Sequence, residues 1–204
     1  MEIVKNVFIE NCNNSSDINE HLPTLYKYAT ECETIIETGV RRCVSSWAFV
    51  YGLLNNNKDI KKILLNDITE CHIQQLVNAT NATNVVLDYK WMNNLDLKLE
   101  HNYDMIFIDT WHIYGQLKRE LEKFAPNINK YIIMHDTTVD EIYGETIRMN
   151  WNATQQSIES GFSIEEINCG LGKAIDEFLE KNKEWELFEK YNNNNGLTIL
   201  KRIE

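Results

Sequence analysis

Residues 103–138 read YDMIFIDTWHIYGQLKRELEKFAPNINKYIIMHDTT, and this stretch constrains the chain more than any other. The apolar run Met105–Ile108 stops at Asp109, as a strand buried on both faces stops where it reaches a ligand-facing edge. Residues 113–124 carry Leu117, Leu121 and Phe124 at i, i+4 and i+7 with charges between them, which is a helix with one apolar face. Pro126 and Asn127 break it, and a second apolar run, Tyr131–Met134, ends in His135-Asp136. Strand, helix and strand over this length make a βαβ unit with parallel strands. The carboxyl ends of parallel strands form the ligand crevice, so Asp109, His112, His135 and Asp136 are expected to meet there.

The flanking chain repeats the pattern. Thr34–Glu37, Ile60–Leu65 and Asn84–Leu87 read as three further core strands, the last ending at Asp88. Helices are expected between them over Ser45–Leu54, with Trp47, Val50, Tyr51 and Leu54 inward, and over Thr69–Val77. Upstream, Val4–Ile9 reads as a short strand and Asn19–Ala29 as a helix that tolerates Pro23 near its start. Downstream, 139–171 is weakly periodic with a short helix around Trp151–Ile158, and Lys173–Lys181 is a helix. Trp185–Tyr191 and Leu197–Ile203, joined by an Asn-rich turn, read as a hairpin. The expected fold is a doubly wound α/β domain of seven strands that ends in an antiparallel hairpin. One domain spans 1–204, with 1–32 as an N-terminal extension and 139–171 as a segment covering the substrate.

A net charge of −11 argues against nonspecific attraction to nucleic acid or anionic membrane. No apolar run approaches a membrane span, and the first residues lack a signal-peptide core. The five cysteines are odd in number, scattered and without a C-x-x-C pair, which suits reduced thiols in a cytoplasm, a host's if the source is viral. A small-molecule substrate is the expected partner, and the oligomeric state stays open, a homo-oligomer included. The runs Asn55–Asn57 and Asn192–Asn195 are ascribed to an A/T-rich genome.

Three sites carry chemistry. The turn from Glu37 to Ser45 (ETGVRRCVS) closes the first strand and opens a helix. Gly39 permits close backbone approach, and a helix N-terminus offers free N–H groups. Arg41 stands where G-x-G-x-x-G has its second glycine, which counts against a dinucleotide. Asp67, beyond the second strand, is placed to accept both ribose hydroxyls of a nucleoside, although a helix cap is as consistent. Asp109 and Asp136 on adjacent strand ends can share an oxygen-preferring divalent metal, most simply Mg²⁺. His112 either takes a proton from an acceptor hydroxyl or merely orients or sits exposed; His135 either bonds a backbone carbonyl or flanks the metal. Trp111, Tyr114 and Trp151 are candidates to line an acceptor pocket, with core packing the plainer reading of any one.

On ETGVRRCVSSWAF (37–49), FIDTWHIYGQLKREL (107–121), YIIMHDTT (131–138) and NNGLTILKR (194–202), the chain resembles class I S-adenosylmethionine-dependent methyltransferases. Within them it resembles the family related to cephalosporin-hydroxylase-like and macrocin (sugar) O-methyltransferases. The resemblance implies an O-methyltransferase acting on a sugar or nucleotide-sugar in glycan modification. Glu37, Gly39, Arg41, Ser45, Asp67 and Asp109 would bind S-adenosylmethionine. Asp109, Asp136 and His135 would hold Mg²⁺, and His112 would be the base. A metal-dependent small-phenol methyltransferase and a catalytically silent partner of a glycosyltransferase are the alternatives.

Overall fold

The computed structural model describes residues 1–81 and 83–203. Its centre is a seven-stranded sheet in the order β3-β2-β1-β4-β5-β7-β6. The strands are β1 (Thr34–Thr38), β2 (Lys62–Asp67), β3 (Val86–Trp91), β4 (Tyr103–Ile108), β5 (Ile128–His135), β6 (Trp185–Tyr191) and β7 (Leu197–Arg202). β1–β5 pair in parallel, and β7 joins β5 antiparallel with β6 outside it. The order reverses between β1 and β4, whose ends carry the turn at Gly39 and Asp109.

Period-two alternation splits each apolar run between two cores. Ile35, Ile63, Leu65, Met105 and Phe107 face one side of the sheet, where α1 (Glu2–Asn13), α2 (Leu22–Ala29) and α3 (Val44–Asn55) pack. Ile36, Leu64, Ile106 and Ile108 face the other, under α5 (Tyr114–Phe124) and α9 (Leu171–Lys181). Helices on both faces are what parallel strands require, since each strand buries both of its sides.

Three local expectations are corrected. Val4–Ile9 is part of α1, not a strand: Val4, Val7 and Phe8 meet the core at helical spacing, and Phe8 packs on Tyr26 and Tyr51. The helix expected from Thr69 begins only at α4 (Gln74–Thr80), because Asp67 and Tyr89 hold residues 69–71 in a loop. Asp88 lies inside β3, an edge strand none of whose side chains is fully buried, so it ends nothing. The segment after β5 forms α6 (Glu145–Arg148), α7 (Ala153–Ser160) and α8 (Ile164–Asn168). Among the described residues no helix is long and apolar enough to cross a membrane, and all five cysteines are free.

Candidate active site

The turn after β1 is shaped by its neighbours. Gly39 has φ +87°, and a Cβ there would lie 1.8 Å from the carbonyl oxygen of Asp109, so its lack of a side chain lets the β1 and β4 ends meet. Arg41 and Cys43 also take left-handed backbone, at φ 44° and 61°, a conformation L-residues seldom adopt. Cys43 thereby holds a conformation that glycine adopts more readily. The strained turn is braced by Asp67, the last residue of β2. Asp67 Oδ2 accepts from the backbone N–H groups of Val40 (2.9 Å) and Arg41 (3.0 Å), and Oδ1 accepts from Thr69 N–H and Oγ1 (2.8 Å each). Burial works against its charge, but these donors outweigh it and hold the carboxyl below its usual range. Four donors make Asp67 the brace of the turn, and it lines the cavity as well.

Glu37 and Ser45 also depart from expectation. Alternation along β1 turns Glu37 into the core beneath α3, where it is fully buried and accepts a hydrogen bond from Ser45 Oγ. Burial pushes its pKa up to about 8, with Ser45 and Ser46 partly offsetting the rise. Neither side chain reaches the cavity beyond the turn; they support it from below.

That cavity, about 650 Å³, is within the usual range for a small-molecule site. Gly39, Arg41, Asp67 and Asp109 line one side. The other is built by Trp151, Gln156, Glu159, Ser160 and Phe162 of the segment after β5. Trp111 lines the cavity, stacks on Phe162 at 5.9 Å and has a buried Nε1–H without a partner. Tyr114 does not join it: the ring is buried and its hydroxyl donates to Glu177 at 2.9 Å. The floor holds a network that sequence reading missed. Glu120, fully buried on α5, accepts from Asn94 Nδ2, Thr110 Oγ1 (2.7 Å) and Gln116 Nε2 (2.8 Å), and all three donors line the cavity. Burial raises the Glu120 pKa. In the sequence Glu120 is one charge among several on a helix, and no spacing marks it as buried.

Beside the cavity the β4 and β5 ends bring Asp109, His112, His135 and Asp136 together. His112 lies between two carboxylates: Nε2 donates to Asp109 Oδ1 at 3.1 Å, and Nδ1 is 3.1 Å from Asp136 Oδ2. His135 Nδ1 is 3.4 Å from Asp109 Oδ1 and 3.4 Å from Asp136 Oδ2. Asp136 carries φ 56°, which turns the chain back so that Asp140 and Glu145 approach His112 Nδ1 at 3.5 and 3.6 Å. Arg148 caps Asp140 through Nε at 2.7 Å. Asp140, Glu145 and Arg148 were not anticipated, although the acids crowded over 136–145 were a usable signal.

Burial alone would lower both histidine pKa values. Asp109 and Asp136 outweigh it, raising His112 to about 9 and His135 to about 11. The carboxyl of Asp109 is burdened by burial yet held far below its usual range by the two imidazoles, and Asp136 is lowered likewise. Without another cation, both histidines are therefore protonated at neutral pH. The donor set fits a divalent ion: atoms of Asp109, His112 and Asp136 lie within 4.8 Å of one another. His112 Nδ1, His135 Nδ1 and Asp136 Oδ1 are buried without hydrogen-bond partners. Mixed nitrogen and oxygen donors suit Mn²⁺ or a similar ion better than Mg²⁺, which favours oxygen alone.

No protein-family model matches the chain, and no curated protein does. Solved structures do. A putative caffeoyl-CoA O-methyltransferase from Staphylococcus aureus superposes with TM-score 0.62 at 17% identity, covering 99% of this chain and 91% of the other. A methyltransferase from Podospora anserina, bound to S-adenosylhomocysteine (SAH), gives 0.62 at 15%, covering 97% and 88%. An O-methyltransferase from Streptomyces achromogenes involved in tomaymycin synthesis, in complex with S-adenosylmethionine, gives 0.57 at 11%, covering 94% and 82%. At these identities the likeness establishes the fold, a seven-stranded methyltransferase-type sheet with its terminal antiparallel hairpin.

Proposed function

We propose that the protein is an S-adenosylmethionine-dependent O-methyltransferase that acts on a hydroxyl of a sugar with help from a divalent cation. One observation carries this reading: Asp109 both lines the cavity and gives its carboxylate to the acid–histidine centre. An acceptor lying between them would meet both. The cofactor fits the turn side of the cavity. Gly39 and the backbone of Arg41 border it, and no side chain caps the N-terminus of the 12-residue α3.

Bound there, S-adenosylmethionine supplies an electrophilic methyl group, while a cation supplies charge that favours the deprotonated acceptor hydroxyl. The protein's own part is alignment and proton handling. Trp111 and Trp151 offer faces for a sugar ring, and Gln156, Glu159 and the Trp111 Nε1–H offer it hydrogen bonds. Asp109, Asp136 and the unpartnered Nδ1 of His135 would hold the cation, leaving His112 of the same cluster free as the base. His112 takes the acceptor's proton at Nδ1, the ring nitrogen left without a partner when Nε2–H donates to Asp109, and Asp109 stabilises the resulting imidazolium. With acids Asp67, Asp109 and Glu159 on the wall and Arg41 as the cation among its described residues, the cavity suits a neutral acceptor better than a phosphorylated one. A neutral sugar is favoured over a nucleotide-sugar for that reason.

The test is calorimetric titration with SAH in Mn²⁺, in Mg²⁺ and in EDTA, followed by methylation assays on neutral sugars, nucleotide-sugars and catechols. SAH should bind in all three conditions, and sugar turnover should need the cation. His112→Ala should retain SAH binding and lose turnover. Failure of SAH to bind at all would sink the enzyme reading. Turnover of catechols alone would select the phenol alternative, which the Trp111–Phe162 stack would also serve.

A further inference from the structure

The hairpin turn between β6 and β7 stands directly behind the acid–histidine centre. Asn194, Asn195 and Gly196 have φ 47°, 69° and 100°, three successive residues in the left-handed region. Such a run is costly, and it persists only where surrounding contacts hold it. Here the contacts are with the site. The carbonyl of Asn194 accepts from His135 Nε2 at 3.2 Å, so that Nδ1 of the same ring faces Asp109 and Asp136. The carbonyl of Asn195 accepts from the N–H groups of Thr138 and Val139 at 3.0 Å each, supporting the loop that carries Asp136 and Asp140. A Cβ at position 196 would lie 2.4 Å from Thr138 N, so the turn is pressed against that loop.

The turn is itself clasped from the N-terminal segment. Asn194 Oδ1 accepts from Glu20 N–H at 3.1 Å, and its Nδ2 donates to the Ser16 carbonyl at 2.8 Å. His21, 1% exposed, donates from Nε2 to the Asn193 carbonyl at 3.0 Å. Its ring also meets the His135 ring edge-on at 5.7 Å.

We propose that His21 and Asn194 are positioning residues for His135, and that the asparagine-rich turn is the clasp through which residues 16–21 aim His135 Nδ1 at the two carboxylates. The proposal rests on the divalent-cation reading of the centre. A metal-binding imidazole commonly donates its far N–H to a carbonyl, which fixes the ring and strengthens the near nitrogen as a ligand. His135 has that arrangement, and the carbonyl it uses is held by groups distant in sequence.

The experiment compares wild type with His21→Phe, Asn194→Gly and His21→Gln. The first removes the bond to Asn193 and keeps a ring. The second keeps the left-handed backbone and removes both side-chain anchors. The third restores a donor near the Nε2 position. Mn²⁺ alone and SAH alone are titrated, and the His135 Nε2–H proton is followed by nuclear magnetic resonance in metal-free protein. His21→Phe and Asn194→Gly should lose the protected proton and weaken Mn²⁺ binding about 10–100-fold. Both should keep wild-type SAH affinity, and His21→Gln should behave as wild type. Retention of the proton and of Mn²⁺ affinity in both variants would overturn the proposal. So would parallel losses of SAH and Mn²⁺ binding, which would mean general loosening. If wild type binds no Mn²⁺ yet both variants lose the protected proton, the cation reading falls and the positioning of His135 stands.

Discussion

The two halves of the site are made in different ways. The turn at residues 37–45 is a backbone device: positive φ at Gly39, Arg41 and Cys43, one carboxylate bracing two N–H groups, and no cavity-facing acid of its own. The centre at Asp109, His112, His135 and Asp136 is a side-chain device, in which four titratable groups crowd within hydrogen-bonding or ion-pair range. The first depends on chain geometry and tolerates few substitutions without unfolding. The second depends on charge and should lose function while keeping the fold. They meet at one junction, where Gly39 lies against the Asp109 carbonyl and the Asp109 N–H donates to the Thr38 carbonyl at 2.9 Å.

Breaking that point should have the largest effect. Gly39→Ala puts a Cβ into the Asp109 carbonyl and strains the backbone, so it should cost about 3 kcal/mol or more and abolish SAH binding. Denaturant unfolding with parallel SAH titration reads both; a variant of wild-type stability would show that the strand ends can part freely. Asp67→Ala comes next and separates the halves. Loss of its hydrogen bonds should cost about 1–3 kcal/mol and weaken SAH binding, while Mn²⁺ affinity at the centre stays as in wild type. Equal damage to both ligands would erase the distinction drawn between them.

The narrowest effect, read only against pH, concerns Glu37. Its folded pKa, about 8, lies above its ordinary 4.5, so the native state holds the proton more tightly than the unfolded chain. The stability it contributes is complete below about pH 4.5 and is lost as pH rises through about 8. Glu37→Gln, which stays neutral, should flatten that part of the thermal-stability profile. A slope unchanged by the substitution would assign it to other groups, the two raised histidines first among them.

The strands of the central βαβ unit and the terminal hairpin were legible because apolar runs and their polar ends mark them directly. Strand ends in a parallel sheet converge, so the meeting of Asp109, His112, His135 and Asp136 was legible too. The roles of Glu37, Ser45 and Asp67 were not. Each depends on which way a side chain turns at a strand end, and a motif written in residue types carries no such direction. α1 was misjudged because a short amphipathic stretch fits two periods until its partners Tyr26 and Tyr51 are known.

By itself the sequence determined the class of fold, the strand ends that carry acids and histidines, and the absence of a dinucleotide glycine pattern. These are local properties of periodicity and residue type, and they need no knowledge of distant neighbours. Only the tertiary structure decided that Asp67 braces a strained turn, that Glu120 ties three cavity residues, and that the asparagine run stands behind His135. Each of these is a hydrogen bond between groups far apart in the chain. Its partner is selected by burial and packing, because a polar group removed from water must bond whatever the fold brings beside it.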